Sequence, residues 1–239
     1  MNNDQRQTKG FKFKQFAIEG GQCGMPVSTD GVLLGAWADI EHAQRILDIG
    51  TGTGLLTLMC AQRNHNATID AVDIESSAVM TAQLNVANSD WSERIMVAHA
   101  DITKMDCEEP FDAIICNPPY FNSGEQTKLQ SRATARHTDT LSHQDLLKCC
   151  QSLLLPHGKA SFVLPVVEGE HFIQLAEQAG FSLSRLCKVQ PTPTKPDNRL
   201  LIELSLIAGE CKNQHVIIRD KLGYTEAFIA LTKDFYLKM

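Results

Sequence analysis

At 239 residues, 43% hydrophobic and 21% charged, the chain can bury one full α/β core with little left for a second domain. Its net charge of −6 argues against avid nonspecific nucleic-acid binding, because phosphate contacts need Lys and Arg. No repeat, low-complexity tract, signal peptide or apolar run long enough to span a membrane is evident, so a soluble, cytoplasmic protein is expected.

The first fourteen residues hold Arg6, Lys9, Lys12 and Lys14 against Asp4 alone. Phe11 and Phe13 alternate with the lysines as in a half-buried strand. A hairpin is expected around Glu19-Gly20-Gly21-Gln22, then a helix over Asp30 to Asp39. Arg45 to Ile49 reads as a short buried strand, followed by the turn Gly50-Thr51-Gly52-Thr53-Gly54 and an apolar helix from Leu55. Such a strand, glycine turn and helix unit lets backbone approach a ligand closely. The spacing is G-x-G-x-G, whereas the dinucleotide fingerprint is G-x-G-x-x-G, so a pyrophosphate cradle is the poorer match. Asp48, ending the strand, suits the cationic amino-acid moiety of S-adenosylmethionine; the alternative is an ordinary tight turn.

A second strand, Ala67 to Val72, ends at Asp73, twenty-three residues after Gly50, close to where a ribose-binding acid is expected. Asp73 is read as that ligand, the alternative being a cap on the helix from Glu75. A third strand, Ile95 to His99, leads to Asp101 and Ile102, a carboxylate and an apolar side chain suited to the amino group and ring of adenine. Taken alone, Asp101 also reads as a loop or cap residue. Phe111 to Cys116 forms a fourth strand, ending at Asn117-Pro118-Pro119-Tyr120. That loop suits methyl transfer to a planar amino nitrogen, whose lone pair is delocalised. The Asn117 side-chain oxygen and the Pro118 carbonyl can accept its two N–H groups, and Tyr120 offers a stacking face.

Beyond the loop, Leu141 to Leu155 reads as a helix closed by Pro156-His157-Gly158, Lys159 to Leu164 as a strand, and Glu168 to Ala179 as a helix ended by Gly180. Strands over Ser182 to Val189 and Leu200 to Ile207 flank a Pro-rich loop, and Thr225 to Leu237 is a final helix. Basic residues cluster in three places: Lys12 and Lys14, then Arg132 and Arg136 after the acceptor loop, then Lys195 and Arg199 around the Pro-rich loop. They form one RNA-binding rim if the fold brings them together, and solvated surface charge if it does not. Eight cysteines without a C-x-x-C pair suggest free thiols and no metal.

The series Asp48, the glycine turn, Asp73, Asp101 and Asn117-Pro-Pro-Tyr120 resembles class I S-adenosylmethionine-dependent methyltransferases acting on amino nitrogens. The segments Phe11 to Phe16, Thr29 to Trp37 and Arg132 to Thr138 are similar to the tRNA1(Val) adenine-N6-methyltransferase family. The resemblance implies a Rossmann-like, doubly wound α/β sheet, mostly parallel with an antiparallel C-terminal hairpin strand. It implies a single methyltransferase domain over 1–239, in which 1–44 are an N-terminal extension and 45–239 the core. S-adenosylmethionine is the implied cofactor and tRNA the implied partner, with Thr29 and Asn117 among the cofactor contacts. The implied target is N6 of the adenosine 3′ of the anticodon, and a monomer or weak dimer with no obligate protein partner is expected. A glutamine-N5 methyltransferase of release factors and a catalytically silent nucleotide- or RNA-binding module remain as alternatives.

Overall fold

The computed structural model describes residues 10–20, 27–119 and 141–238. Eight strands form one sheet: β3 (Arg45–Ile49), β4 (Thr68–Asp73), β5 (Ile95–His99), β6 (Phe111–Cys116), β7 (Leu154–Pro165), β8 (Ser182–Gln190), β9 (Arg199–Ser205) and β10 (Lys212–Ile217). Their spatial order is β10-β8-β9-β7-β6-β3-β4-β5. Every pairing is parallel except those of β9 with β7 and β8. The chain winds from β3 towards β5 and then crosses back to β6, so the order reverses between β3 and β6, where open α/β sheets bind ligands.

Apolar alternation explains why the central strands are covered on both faces. Leu47, Ile49, Ile114 and Cys116 join Leu146, Leu153 and Phe172 on one side, whereas Ile46, Ala113 and Ile115 join Leu33, Leu56 and Phe228 on the other. The first layer contains α4 (His143–Leu153) and α5 (Val166–Gln178); the second contains α1 (Thr29–Trp37), α2 (Leu55–Arg63) and α6 (Glu226–Thr232). A third cluster seats Phe13, Phe16 and Ile18 against α1, α2 and Val86 of α3 (Ser76–Ala87).

Local chemistry sets the helix ends. The hydroxyl oxygens of Ser28, Ser142 and Thr225 accept from the N–H groups of Gly31, Asp145 and Phe228. Gly180, at φ +88°, lets Phe181 N–H reach back 2.9 Å to the Ala176 carbonyl and stop α5.

The structure corrects several expected boundaries. The N-terminal hairpin pairs β1 (Phe11–Lys12) with β2 (Ala17–Ile18) and turns between Phe13 and Phe16, not around Glu19-Gly20; Gly21 and Gln22 lie outside the described residues. Pro156-His157-Gly158 belongs to β7, where Phe111 pairs with Leu154 but Ala113 with Lys159. Leu155 to Gly158 therefore bulge opposite Asp112, and a Cβ on Gly158 would stand 2.9 Å from the Asp112 carbonyl oxygen. The last helix stops at Thr232, and β10 is an edge strand with no expected counterpart.

Candidate active site

Strand register aligns the functional segments. Ile49 is level with Val72 and with Cys116, and Asp73 is level with His99. Gly50, Asp73 and Asn117 therefore leave the sheet side by side at one carboxyl edge, with Asp101 two residues beyond β5.

Asp48 is fully buried beneath the glycine turn. Its Oδ2 accepts from the Thr51 hydroxyl at 2.7 Å, the Thr57 hydroxyl at 2.6 Å and Thr57 N–H at 3.1 Å. Among the described residues its Oδ1 has no hydrogen-bond partner. Burial pushes the carboxyl up to about 6, against the opposing hydrogen bonds from Thr57 and Thr51. A buried carboxylate with one oxygen unpaired is matched by an ammonium group.

Above it, Gly50 and Gly52 adopt φ of +70° and +57°, and a Cβ built on either would meet nothing within 4 Å. The turn thus demands glycine for its backbone and leaves open space in front of it. Gly50 and Thr51 N–H groups donate to the Val72 carbonyl, and Gly54 opens α2 at φ +83°. Asp73 closes the far side: Oδ2 accepts from Gly52 N–H at 2.8 Å and Oδ1 from Glu75 N–H at 2.9 Å. Each oxygen retains capacity for a further donor, as a ribose diol requires. Glu75, which Asp73 thus holds, is the N-cap residue of α3 and makes no side-chain cap bond of its own.

Asp101 caps a short 3-10 turn, accepting from Thr103 N–H and hydroxyl and pairing with Lys104 at 2.9 Å. The Thr103 hydroxyl and the Lys104 ammonium draw its carboxyl down to about 2. Ile102 packs into the main core beside Val72 and Leu146. Thr29 is the exposed first residue of α1. Buried Asn85, which sequence reasoning passed over, accepts from Glu19 N–H and donates to the carbonyls of Glu19 and Thr53, tying the N-terminal segment to the glycine turn. Thr57 was also missed, because a threonine inside an apolar helix carries no signal until its carboxylate partner is known.

At the acceptor loop Asn117 is half-buried, Pro118 buried and Pro119 exposed; Tyr120, Arg132 and Arg136 lie outside the described residues. A cleft of about 480 Å³ lies between the starts of α4 and α5, lined by Ser142, His143, Gln144, Glu168 and His171 among others. Burial and the nearby His171 hold the His143 imidazole below its ordinary range, so the ring is neutral at pH 7. Of the basic residues, Lys14 Nζ donates to the Lys233 carbonyl at 2.6 Å, Arg199 pairs with Asp30 at 2.7 Å, and Lys12 and Lys195 are exposed. The hairpin rings of Phe11 and Phe13 lie 5.9 and 6.0 Å from Tyr236, which lines the same cavity as Arg199. Two of the three basic segments thus adjoin one another.

Residues 31–162 match the family model described as the methyltransferase small domain. A protein of Vibrio vulnificus (strain YJ016) named tRNA1(Val) (adenine(37)-N6)-methyltransferase is 57% identical over 239 residues, covering 100% of both chains. Among solved structures, a predicted O-methyltransferase of Agrobacterium tumefaciens superposes with a TM-score of 0.68 at 18% identity, covering 86% of this chain and 96% of that one. A glycopeptide N-methyltransferase solved with S-adenosylmethionine gives 0.51 at 11% identity, covering 69% and 82%.

Proposed function

The chain belongs to the tRNA1(Val) (adenine(37)-N6)-methyltransferase family, and on that footing we propose how its carboxyl edge methylates N6 of adenosine 37 with S-adenosylmethionine as donor. The alignment of Gly50, Asp73 and Asn117 at the ends of three adjacent parallel strands carries the reading, since it sets a cofactor turn beside an amino-group acceptor. When bound, the cofactor supplies an electrophilic sulfonium methyl. From beneath the turn the Asp48 carboxylate would draw its ammonium by charge, the open face of Gly50 and Gly52 would let it come close to their backbone, and Asp73 would take the ribose hydroxyls. Asp101 and Ile102 border the adenine of the cofactor, with Thr29 at the mouth.

The acceptor base must leave its stack, and a single-stranded loop makes that extrusion cheap. Asn117 and the Pro118 carbonyl hold the two N–H groups and turn the nitrogen lone pair towards the methyl, Tyr120 stacks on the ring, and the cleft between α4 and α5 gives the base room. The nitrogen becomes acidic once methylated, so its proton leaves to water and positioning carries most of the rate. Lys12, Lys14, Arg132, Arg136, Lys195 and Arg199 steer the RNA. One domain with residues 1–44 as its extension, acting in the cytoplasm as a monomer or weak dimer, completes the reading.

Mass spectrometry of nucleosides tests it, after purified protein is incubated with donor and total tRNA. N6-methyladenosine in tRNA1(Val) is expected; unmodified tRNA alongside methylation of a glutamine-bearing protein would overturn the assignment.

A further inference from the structure

A second cavity, of about 260 Å³, lies on the same carboxyl edge at the ends of β8, β9 and β10. Because Arg199 is level with both Pro165 and Val189, and Ile217 with Gln190, these ends line up with the end of β7, the neighbour of the acceptor strand β6. Two to four strand spacings, roughly 10–20 Å, separate them from Asn117. Neither the donor turn nor the acceptor loop contributes to this cavity, although Thr29, read above as a cofactor contact, lines it.

Its lining is unlike a packing defect. Tyr224 stacks on buried Phe228 with centroids 5.0 Å apart and planes at 23°. The exposed Arg219 guanidinium sits 4.2 Å over the Tyr224 ring, and its Nη2 donates to Tyr224 Oη at 2.6 Å. Arg219 N–H bonds the Pro191 carbonyl, and an antiparallel bridge joins Arg219 to Tyr224, so the pair is fixed on rigid backbone. Arg199, braced by Asp30, and exposed Asn198 complete the mouth. A planar cation braced on an aromatic ring, with a second guanidinium and an amide beside it, suits a ligand that is flat, aromatic and anionic. That combination describes a nucleotide. Since a cavity of about 150 Å³ takes benzene, this one admits a single base.

We propose that the Arg219–Tyr224 cavity binds an unstacked nucleotide of the RNA strand that carries the target adenosine. The idea rests on the methyltransferase reading above, because extruding one base from a loop leaves its neighbours with bare faces, and the cavity lies on the edge where that strand must pass. Arg219 and Tyr224 form the stacking platform, Arg199 faces the phosphate, and Asn198 meets the base edge. Tyr236, shared with the basic hairpin, makes the cavity continuous with the surface of Lys12 and Lys14.

Fluorescence anisotropy with a labelled anticodon stem-loop of tRNA1(Val) tests this, alongside calorimetry of S-adenosylmethionine binding. Arg219→Ala and Tyr224→Ala should weaken RNA binding about tenfold or more, the range for losing a base-stacking partner, with cofactor affinity kept within about twofold. Arg219→Lys preserves charge but not the planar stack and should lose nearly as much. Lys212→Ala removes one charge from the opposite end of β10 and should bind within about twofold of wild type. Wild-type RNA binding in both Arg219 variants would overturn the subsite, as would full retention by Arg219→Lys with loss in Arg219→Ala. Wild-type protein that binds and shows these losses yet transfers no methyl group would instead sink the methyltransferase reading and leave the subsite standing. No RNA binding by wild type would sink the subsite.

Discussion

Thr57 is bonded to Asp48 twice: its N–H and its hydroxyl both reach Oδ2, at 3.1 and 2.6 Å. The helix that follows the glycine turn therefore holds the carboxylate that precedes it, and Oδ1, buried with it, has no hydrogen-bond partner among the described residues. Burial raises this carboxyl from 3.8 to about 6. An ammonium ligand favours the ionised form, so cofactor affinity should fall as pH drops below about 6, with the uptake of one proton. The unliganded protein behaves oppositely: a folded-state value above the unfolded one favours the protonated form, so stability from this group is full below about pH 4 and lost as pH rises through 6. Asp48→Asn should flatten both profiles in calorimetry and thermal melts between pH 4 and 7.

Asn117→Ala should leave cofactor affinity largely intact and lower the single-turnover rate of methyl transfer by at least about a hundredfold, because the lost oxygen orients the acceptor and not the donor. Near-normal turnover on tRNA1(Val) would remove Asn117 from the mechanism.

Asp73→Ala should weaken S-adenosylmethionine binding by about 1–3 kcal/mol, the scale of losing hydrogen bonds to a charged acceptor. Gly52 and Glu75 N–H groups lose their acceptor in the same variant, so a lower melting temperature is expected as well. Unchanged cofactor affinity with a lower melting temperature would confine Asp73 to bracing the turn.

Asn64 tests a purely structural claim. Its amide donates to the carbonyls of Ile40 and Ala43 and accepts from Asn66 and Ala67 N–H groups, all at 2.7 to 3.0 Å and nearly shielded from water. Asn64→Ala should cost about 2–4 kcal/mol in urea unfolding, since several buried backbone groups lose their partner together. Methyl transfer per folded molecule should remain near wild type.

Reversing Lys12, Lys14, Arg132 and Arg199 to Glu should abolish tRNA binding while sparing the cofactor, and wild-type binding should weaken steeply with salt as condensed counterions are released. Anisotropy over a salt series measures both. Normal tRNA methylation by the reversed protein would refute the basic rim.

The parallel half of the sheet was legible because buried strands such as Arg45–Ile49 and Phe111–Cys116 are short, mostly apolar runs closed by turn residues. Strand β10 was not: Lys212-Asn213-Gln214-His215 is exposed, and an edge strand outside the core owes its form to backbone pairing with β8. Leu154 to Gly158 misled for a related reason, since a bulge uses the same Pro and Gly that end helices. At the site, spacing could mark Asp48 and Asp73 as interesting, but only the fold shows that one is sealed beneath the turn and the other half-open beside it. The Arg219–Tyr224 pair was invisible because its neighbours Thr29, Asn198 and Tyr236 are scattered over the chain.

The reversed direction of β9 has an architectural outcome. Antiparallel β9 starts at the reactive edge where β8 ends, so their short connection, Pro191 to Asn198, lies on that edge and needs no crossover helix. That connection joins strands three and four places along the sheet from β3 and its glycine turn, so insertions or deletions in it would leave the buried bonds around Asp48 undisturbed. On the RNA-binding reading proposed above, two sectors of one sheet can diverge at separate rates, the donor sector held by buried bonds and the other free to follow changes in the RNA.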